Sequence, residues 1–209
     1  IEIRVDNSRI GPSTKFNKAD TILDSLKKAV KIVLSGLQGT NYPVSYNEQY
    51  YVLQSYKKIL FPDEDAKVPY NAPFIGPSSD TLQLINITDS DTNSVPNIRQ
   101  NYTVTEKADG ERHLLFIHPI NGKIYIVNRN MKVIFTGAKT ETKQCFGSIL
   151  DGELVRHNKS GEFINLYAGF DLYFLHGKNV RALPFINRKY LEREGEEGRQ
   201  PQLTIEDNR

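Results

Sequence analysis

The sequence holds one cysteine, one methionine and no tryptophan in 209 residues. One cysteine excludes a disulfide framework and leaves too few thiols for a cysteine-based metal site, a usage that suits a reducing compartment. Charge of one sign is not in excess either: 27 basic and 25 acidic side chains leave a formal net charge of +2. The chain therefore lacks a broad basic footprint for nucleic acid, and any such contact must be local. No apolar run approaches the roughly 20 residues that span a bilayer, so no membrane partner is expected. Internal repeats, a phosphate-cradling Gly-rich loop and a Ser-His-Asp order are missing as well. The four histidines, His113, His118, His157 and His176, lack metal-ligand spacing and read as strand or loop residues.

What is present divides into two parts. Ile1, Ile3 and Val5 alternate with Glu2 and Arg4, the pattern of a half-buried strand already under way, so the chain reads as part of something longer. Asp20 to Leu37 carries Ile22, Leu23, Leu26, Ala29, Val30, Val33, Leu34 and Leu37 at helical spacing, with Gly39 as the stop. Ser45-Tyr46-Asn47-Glu48 has the form of a capping box for a second helix running to about Leu60. Tyr50, Leu53, Tyr56, Ile59 and Leu60 fall on its apolar side, where core packing is expected rather than stacking on a ligand. Pro62 ends it. A helical hairpin and connector over residues 1–76 is the expectation, followed by a sheet-forming part, 77–209.

From Tyr102 the period changes to two. Strands are expected at Tyr102–Lys107, His113–His118, Lys123–Asn128, Val133–Phe135, Ser148–Val155 and Phe163–Leu175. Short turns between them favour antiparallel pairing. Leu183 to Glu194 reads as helix, and Gly195 to Arg209 as surface loop. The fold class is α+β.

The stretch that asks for a chemical reason is Lys107-Ala108-Asp109-Gly110-Glu111-Arg112, set directly against the apolar run Leu114-Leu115-Phe116-Ile117. Lys107 is the candidate nucleophile. A lysine amine attacks only when deprotonated, and nearby positive charge with partial burial favours that form. Gly110 lets backbone pass close to a neighbour. Downstream, Leu150-Asp151-Gly152-Glu153-Leu154-Val155 places a carboxylate in an apolar strand, which is costly unless Glu153 meets a metal, a hydroxyl or a cation. Ala168-Gly169-Phe170-Asp171 is an aromatic strand opened by a glycine, and Val127-Asn128-Arg129 ends a strand in an arginine.

In this order and at these separations the four signals resemble the covalent nucleotidyltransferases, the ATP-dependent DNA ligases and mRNA capping enzymes. The family's Lys-x-Asp-Gly-x-Arg motif is matched by Lys107, Asp109, Gly110 and Arg112, its strand-end arginine by Arg129, its Asp-Gly-Glu by Asp151, Gly152 and Glu153, and its aromatic motif by Phe170 and Asp171. The resemblance implies an antiparallel-sheet, ATP-grasp-like nucleotidyltransferase domain. It implies that Lys107 becomes a lysyl-nucleotide phosphoramidate with the help of a divalent cation, Mg²⁺ or Mn²⁺. Arg112 and Arg129 would hold ribose and phosphate, Glu153 the ribose or the metal region, and Phe170 the base. Glu106, Asp109 and Gly110 would flank the nucleotide.

DNA ligases typically carry a glutamate two residues before the lysine, whereas Thr105 stands there in this chain. A hydroxyl can donate to guanine O6. Together with the small Ala108, this favours GTP over ATP as the substrate and a 5′-diphosphate RNA as the acceptor. An ATP-dependent ligase and a non-catalytic scaffold are the alternatives. The resemblance is nearest to large viral capping enzymes of poxviruses and giant DNA viruses, which implies fused triphosphatase and methyltransferase domains and an intracellular setting, host cytoplasm or virion. Glu2 would then belong to a metal strand at the tail of the triphosphatase. The family's later Glu-Gly and lysine-rich strand motifs, and its oligonucleotide-binding-fold domain, have no counterpart in the chain.

Overall fold

The computed structural model describes residues 2–62, 71–88, 96–99, 102–105 and 107–188, and the backbone of 203–204. Helix α1 runs over Ala19–Gln38 and stops at Gly39, whose φ of 63° is the left-handed conformation that ends helices cheaply. The Gln38 amide then brackets Val44. It donates to the Val44 carbonyl at 2.7 Å and accepts from the Val44 N–H at 2.8 Å. These two hydrogen bonds satisfy both backbone groups of Val44, which is buried.

Helix α2, Tyr46–Leu60, follows at once. Ser45 caps it by accepting from the Glu48 N–H at 3.2 Å. The reciprocal half of the expected capping box is not made. The Glu48 carboxylate instead accepts from Lys123 Nζ and the Tyr125 hydroxyl, both at 2.9 Å. A charged ammonium and a buried phenol outcompete a backbone donor that water can serve. The tyrosine row also divides. Tyr56 is buried and donates its hydroxyl to the Pro73 carbonyl at 2.9 Å, whereas Tyr50, expected in the core, is 60% exposed. The two helices differ in docking: α2 buries Val52 and Tyr56, but α1 buries none of its residues.

The sheet begins at β1, Glu111–Ile117, and continues through β2, Lys123–Asn128, β3, Val133–Lys139, β4, Ile149–His157, β5, Phe163–Leu175, and the short β6, Lys178–Asn179. The strand order is β3-β2-β1-β4-β5-β6, with the two-residue β7, Leu203–Thr204, pairing with β5; all the pairings between these strands are antiparallel. The α+β reading and the antiparallel sheet therefore hold. Alternation gives the sheet two apolar faces. Leu114, Phe116, Tyr125, Val127, Ile149 and Tyr173 pack with Val52 and Tyr56 of α2. Leu115, Ile117, Ile124, Ile126, Leu154 and Tyr167 form the other face. Fully burying each large side chain is worth about 1.5–3 kcal/mol.

Several boundaries differ from the sequence expectation. Residues 102–105 are exposed and form no strand, and Val104 is 96% exposed. Residues 2–5 likewise form no strand. Helix is present at 185–188, while 189–194 lie outside the described residues. In the stretch read as loop, Leu203–Thr204 pairs with Leu166 and Tyr167 of β5. Among the described residues no helix is long and apolar enough to cross a membrane.

Candidate active site

The site grows out of the β1–β4–β5 register. Arg112 stands opposite Glu153, and Leu114 opposite Asp151, so these four side chains share the face that α2 covers further along. At Leu114 that face is apolar core; at Arg112 it opens to solvent as a cleft of about 910 Å³.

Asp151 marks the transition. Its carboxylate is fully buried and accepts from Arg112 Nε at 3.0 Å, from Arg112 Nη2 and from the Tyr173 hydroxyl. A buried carboxylate is tolerable only with such partners. Hydrogen bonding to Asp151 raises the Arg112 pKa further above its ordinary value, and burial followed by the same carboxylate pushes the Tyr173 hydroxyl well up. Arg112 Nη1 reaches on to the Pro77 carbonyl, and its guanidinium lies 5.8 Å from the centre of the Phe74 ring. The arginine thus pins the 74–77 segment against the start of β1.

Glu153, half-buried, accepts from the Gly110 N–H at 2.8 Å. This bond joins β4 to the loop that carries Lys107. Gly110 is required for a reason other than ligand approach: a Cβ there would come within 2.6 Å of the Leu154 carbonyl oxygen. Gly152 has a similar role, since a Cβ would meet the Tyr167 ring at 2.5 Å. The Tyr167 hydroxyl in turn accepts from the Leu115 N–H at 3.1 Å and lies 3.0 Å from the His113 carbonyl. The next carboxylate, Asp171, takes a two-pronged ion pair from Arg188 at 2.7 and 2.9 Å, so it braces the helical residues 185–188 rather than facing the cleft.

Of the residues singled out in the sequence, Lys107, Gly110, Arg112, Arg129, Glu153 and Phe170 all line this one cleft. Lys107 is exposed, with Nζ 3.3 Å from the Ala108 carbonyl oxygen. Arg129 is exposed on the β2–β3 turn, whose shape is set by Asn128 Oδ1 accepting from the Asn130 and Lys132 N–H groups. Thr105 and Asp109 are exposed and are not among the lining residues. Glu106 lies outside the described residues. Glu2 is exposed and paired with Arg4 at 2.7 Å. Among the described residues no group of three or more His, Cys, Asp and Glu is placed to hold a metal. Sequence reasoning missed Tyr173, which completes the Asp151 site, and the wall formed by Pro77, Ser78 and Ser79. The signal for the first was available, because Asp151 is as anomalous in an apolar strand as Glu153.

A sequence-family model described as "mRNA capping enzyme, catalytic domain" matches residues 91–205. A "Probable mRNA-capping enzyme" of Acanthamoeba polyphaga mimivirus is 27% identical over 167 residues, covering 79% of this chain and 12% of that protein. A solved structure of mycobacterial DNA ligase D complexed with ATP and MES is 22% identical with a TM-score of 0.31, covering 40% of this chain and 33% of that one.

Proposed function

The chain belongs to the mRNA capping enzyme catalytic-domain family, and from that premise we propose that it is an mRNA guanylyltransferase. In the first step the deprotonated Lys107 amine attacks the α-phosphorus of GTP. A P–N bond forms, the P–O bond to the β-phosphate breaks, pyrophosphate leaves, and the surplus amine proton passes to water. In the second step a terminal oxygen of a 5′-diphosphate RNA attacks the same phosphorus, the P–N bond breaks, and Lys107 is regenerated with GMP on the RNA.

The observation that carries this reading is the gathering of Lys107, Arg129, Glu153 and Phe170 in one cleft inside the span that matches the family. Arg129, on the rim, supplies positive charge for phosphate oxygens. Phe170 offers a ring face for a base. Glu153 holds the Gly110 backbone and thereby the start of the lysine loop. Arg112 shapes the wall through Asp151 and Pro77 and adds its field to the cleft. The acids lining the cleft, Glu111 and Glu153, are too few for an all-protein cage. They suit a divalent cation bound chiefly through substrate phosphates, with Glu153 as the protein's contribution. Such a cation would neutralise the polyphosphate charge. Fused triphosphatase and methyltransferase domains and a viral origin form part of the same proposal. The pairing of Glu2 with Arg4 gives no support to a metal role for Glu2.

The test is incubation of the protein, in the longest natural form that contains this chain, with α-labelled GTP or ATP and Mg²⁺, followed by a denaturing gel. A labelled protein band with GTP that disappears in Lys107→Ala is the expected result. A band with ATP alone would move the assignment to a ligase, and no band with either nucleotide would overturn both.

A further inference from the structure

The cleft contains a wall that no motif announces. Ser78 and Ser79 are exposed in it, on a segment just before the span that matches the family. The wall is built rather than draped. The Tyr56 hydroxyl holds the Pro73 carbonyl, Arg112 holds the Pro77 carbonyl, and Gly76 packs so closely that a Cβ would lie 2.6 Å from the Phe74 ring and 2.8 Å from Arg112.

The other polar side chains of the cleft have work that the serines do not share. Lys107, Arg112 and Arg129 are cations and Glu111 and Glu153 carboxylates, the groups suited to phosphate, metal and ribose. Asn128 accepts two backbone N–H bonds, and buried His113 has Nδ1 2.8 Å from the Glu111 carbonyl. Asn130 gives its N–H to Asn128 Oδ1 on the β2–β3 turn, beside Arg129. The neutral hydroxyls lining the cleft are those of Ser78 and Ser79, and a hydroxyl both donates and accepts, as the edge of a purine requires. The serines line the same cleft as the ring proposed to stack on the base.

We infer that Ser78 and Ser79 bind the edge of the purine base that lies against Phe170. Thr105, which the sequence alone nominates for that role, is not among the residues lining the cleft. The inference rests on the cleft being a nucleotide site, though not on the transfer chemistry.

Equilibrium binding separates the two. GTP and inorganic tripolyphosphate are titrated against the wild-type protein and the variants Ser78→Ala, Ser79→Ala and the double alanine variant, with thermal melting as the folding control. Both serines are exposed, so melting should not change. The expected result is a GTP affinity weakened about 3- to 10-fold per lost hydrogen bond, with tripolyphosphate affinity unchanged. Unchanged GTP affinity in the double variant overturns the inference, and so does an equal loss for tripolyphosphate, which would place the serines on phosphate. Wild-type protein that binds GTP tightly but forms no lysyl-nucleotide would overturn the transfer reading and leave the serine result to stand by itself. Wild-type protein that does not bind GTP overturns both.

Discussion

Glu153 Oε2 accepts a hydrogen bond from the Gly110 backbone N–H at 2.8 Å, across 43 positions of sequence. This one contact fixes where the lysine loop leaves the sheet, because Gly110 also packs against the β4 backbone at Leu154. Glu153→Ala should leave that N–H without its partner and lower the rate of lysyl-nucleotide formation by about 100-fold or more, as loss of a positioned charged group typically does. Glu153→Gln keeps an acceptor oxygen and should retain the fold while losing the charge. Single-turnover labelling with melting curves separates the two effects.

Gly110→Ala tests the same junction from the other side. A methyl group 2.6 Å from the Leu154 carbonyl must displace backbone. Overpacking of this kind costs about 1–3 kcal/mol, so the melting temperature should fall and covalent labelling should be lost.

The Asp151 carboxylate is fully buried between Arg112 and Tyr173. Removing it in Asp151→Ala strands a half-buried guanidinium and should cost about 3–5 kcal/mol by denaturant titration. Tyr173→Phe removes one hydrogen bond to a charged acceptor and should cost about 1.5–3 kcal/mol. If Asp151→Ala proved no more harmful than Tyr173→Phe, the account of Arg112 as a partnered wall residue would fail.

The α2–sheet contact should make stability fall in acid. Burial, then Lys123, holds the His118 pKa below its ordinary 6.5, against an opposing pull from Glu48. The ring is 3.1 Å from Ser55 of α2, and its Nδ1 accepts from the Ile120 N–H. Burial raises the Glu48 pKa, but hydrogen bonds from Lys123 and Tyr125 outweigh it and bring the net value below the ordinary 4.5. For both groups the unfolded chain takes up the proton first as pH falls. The contribution of His118 is therefore complete above about pH 6.5, that of Glu48 above about pH 4.5, and each is lost below. Melting temperature measured from pH 8 down to about pH 2.5 should decline in two stages, the first below about pH 6.5 and the second below about pH 4.5, with Glu48→Gln flattening the lower one.

The elements legible in the sequence were those whose pattern needs no distant partner. α1 and α2 follow from period and stop signals, and β2 and β5 from apolar runs bounded by turns. Residues 102–105 have strand composition, yet whether a strand forms depends on a neighbour with open hydrogen bonds, which local composition does not encode. Glu48 fails for the same reason: its choice of Lys123 and Tyr125 over its own cap depends on a contact 75 positions away. Within the cleft, Glu153 was readable as a carboxylate in an apolar strand, and Lys107, Arg129 and Phe170 through the order and spacing of the motifs that resemble the family. Ser78 and Ser79 were not, because serines in a Pro- and Gly-rich segment look like any loop until Arg112 and Tyr56 are seen to hold that segment in place.

The residue to which a nucleotide becomes attached tests the role of Lys107 most directly. The protein should be reacted with GTP and Mg²⁺, quenched at neutral to alkaline pH to preserve a P–N bond, digested and mapped by mass spectrometry. GMP on the peptide containing Lys107, and on no other lysine, is the predicted result. GMP attached elsewhere, or AMP at Lys107 with GTP inert, would contradict it.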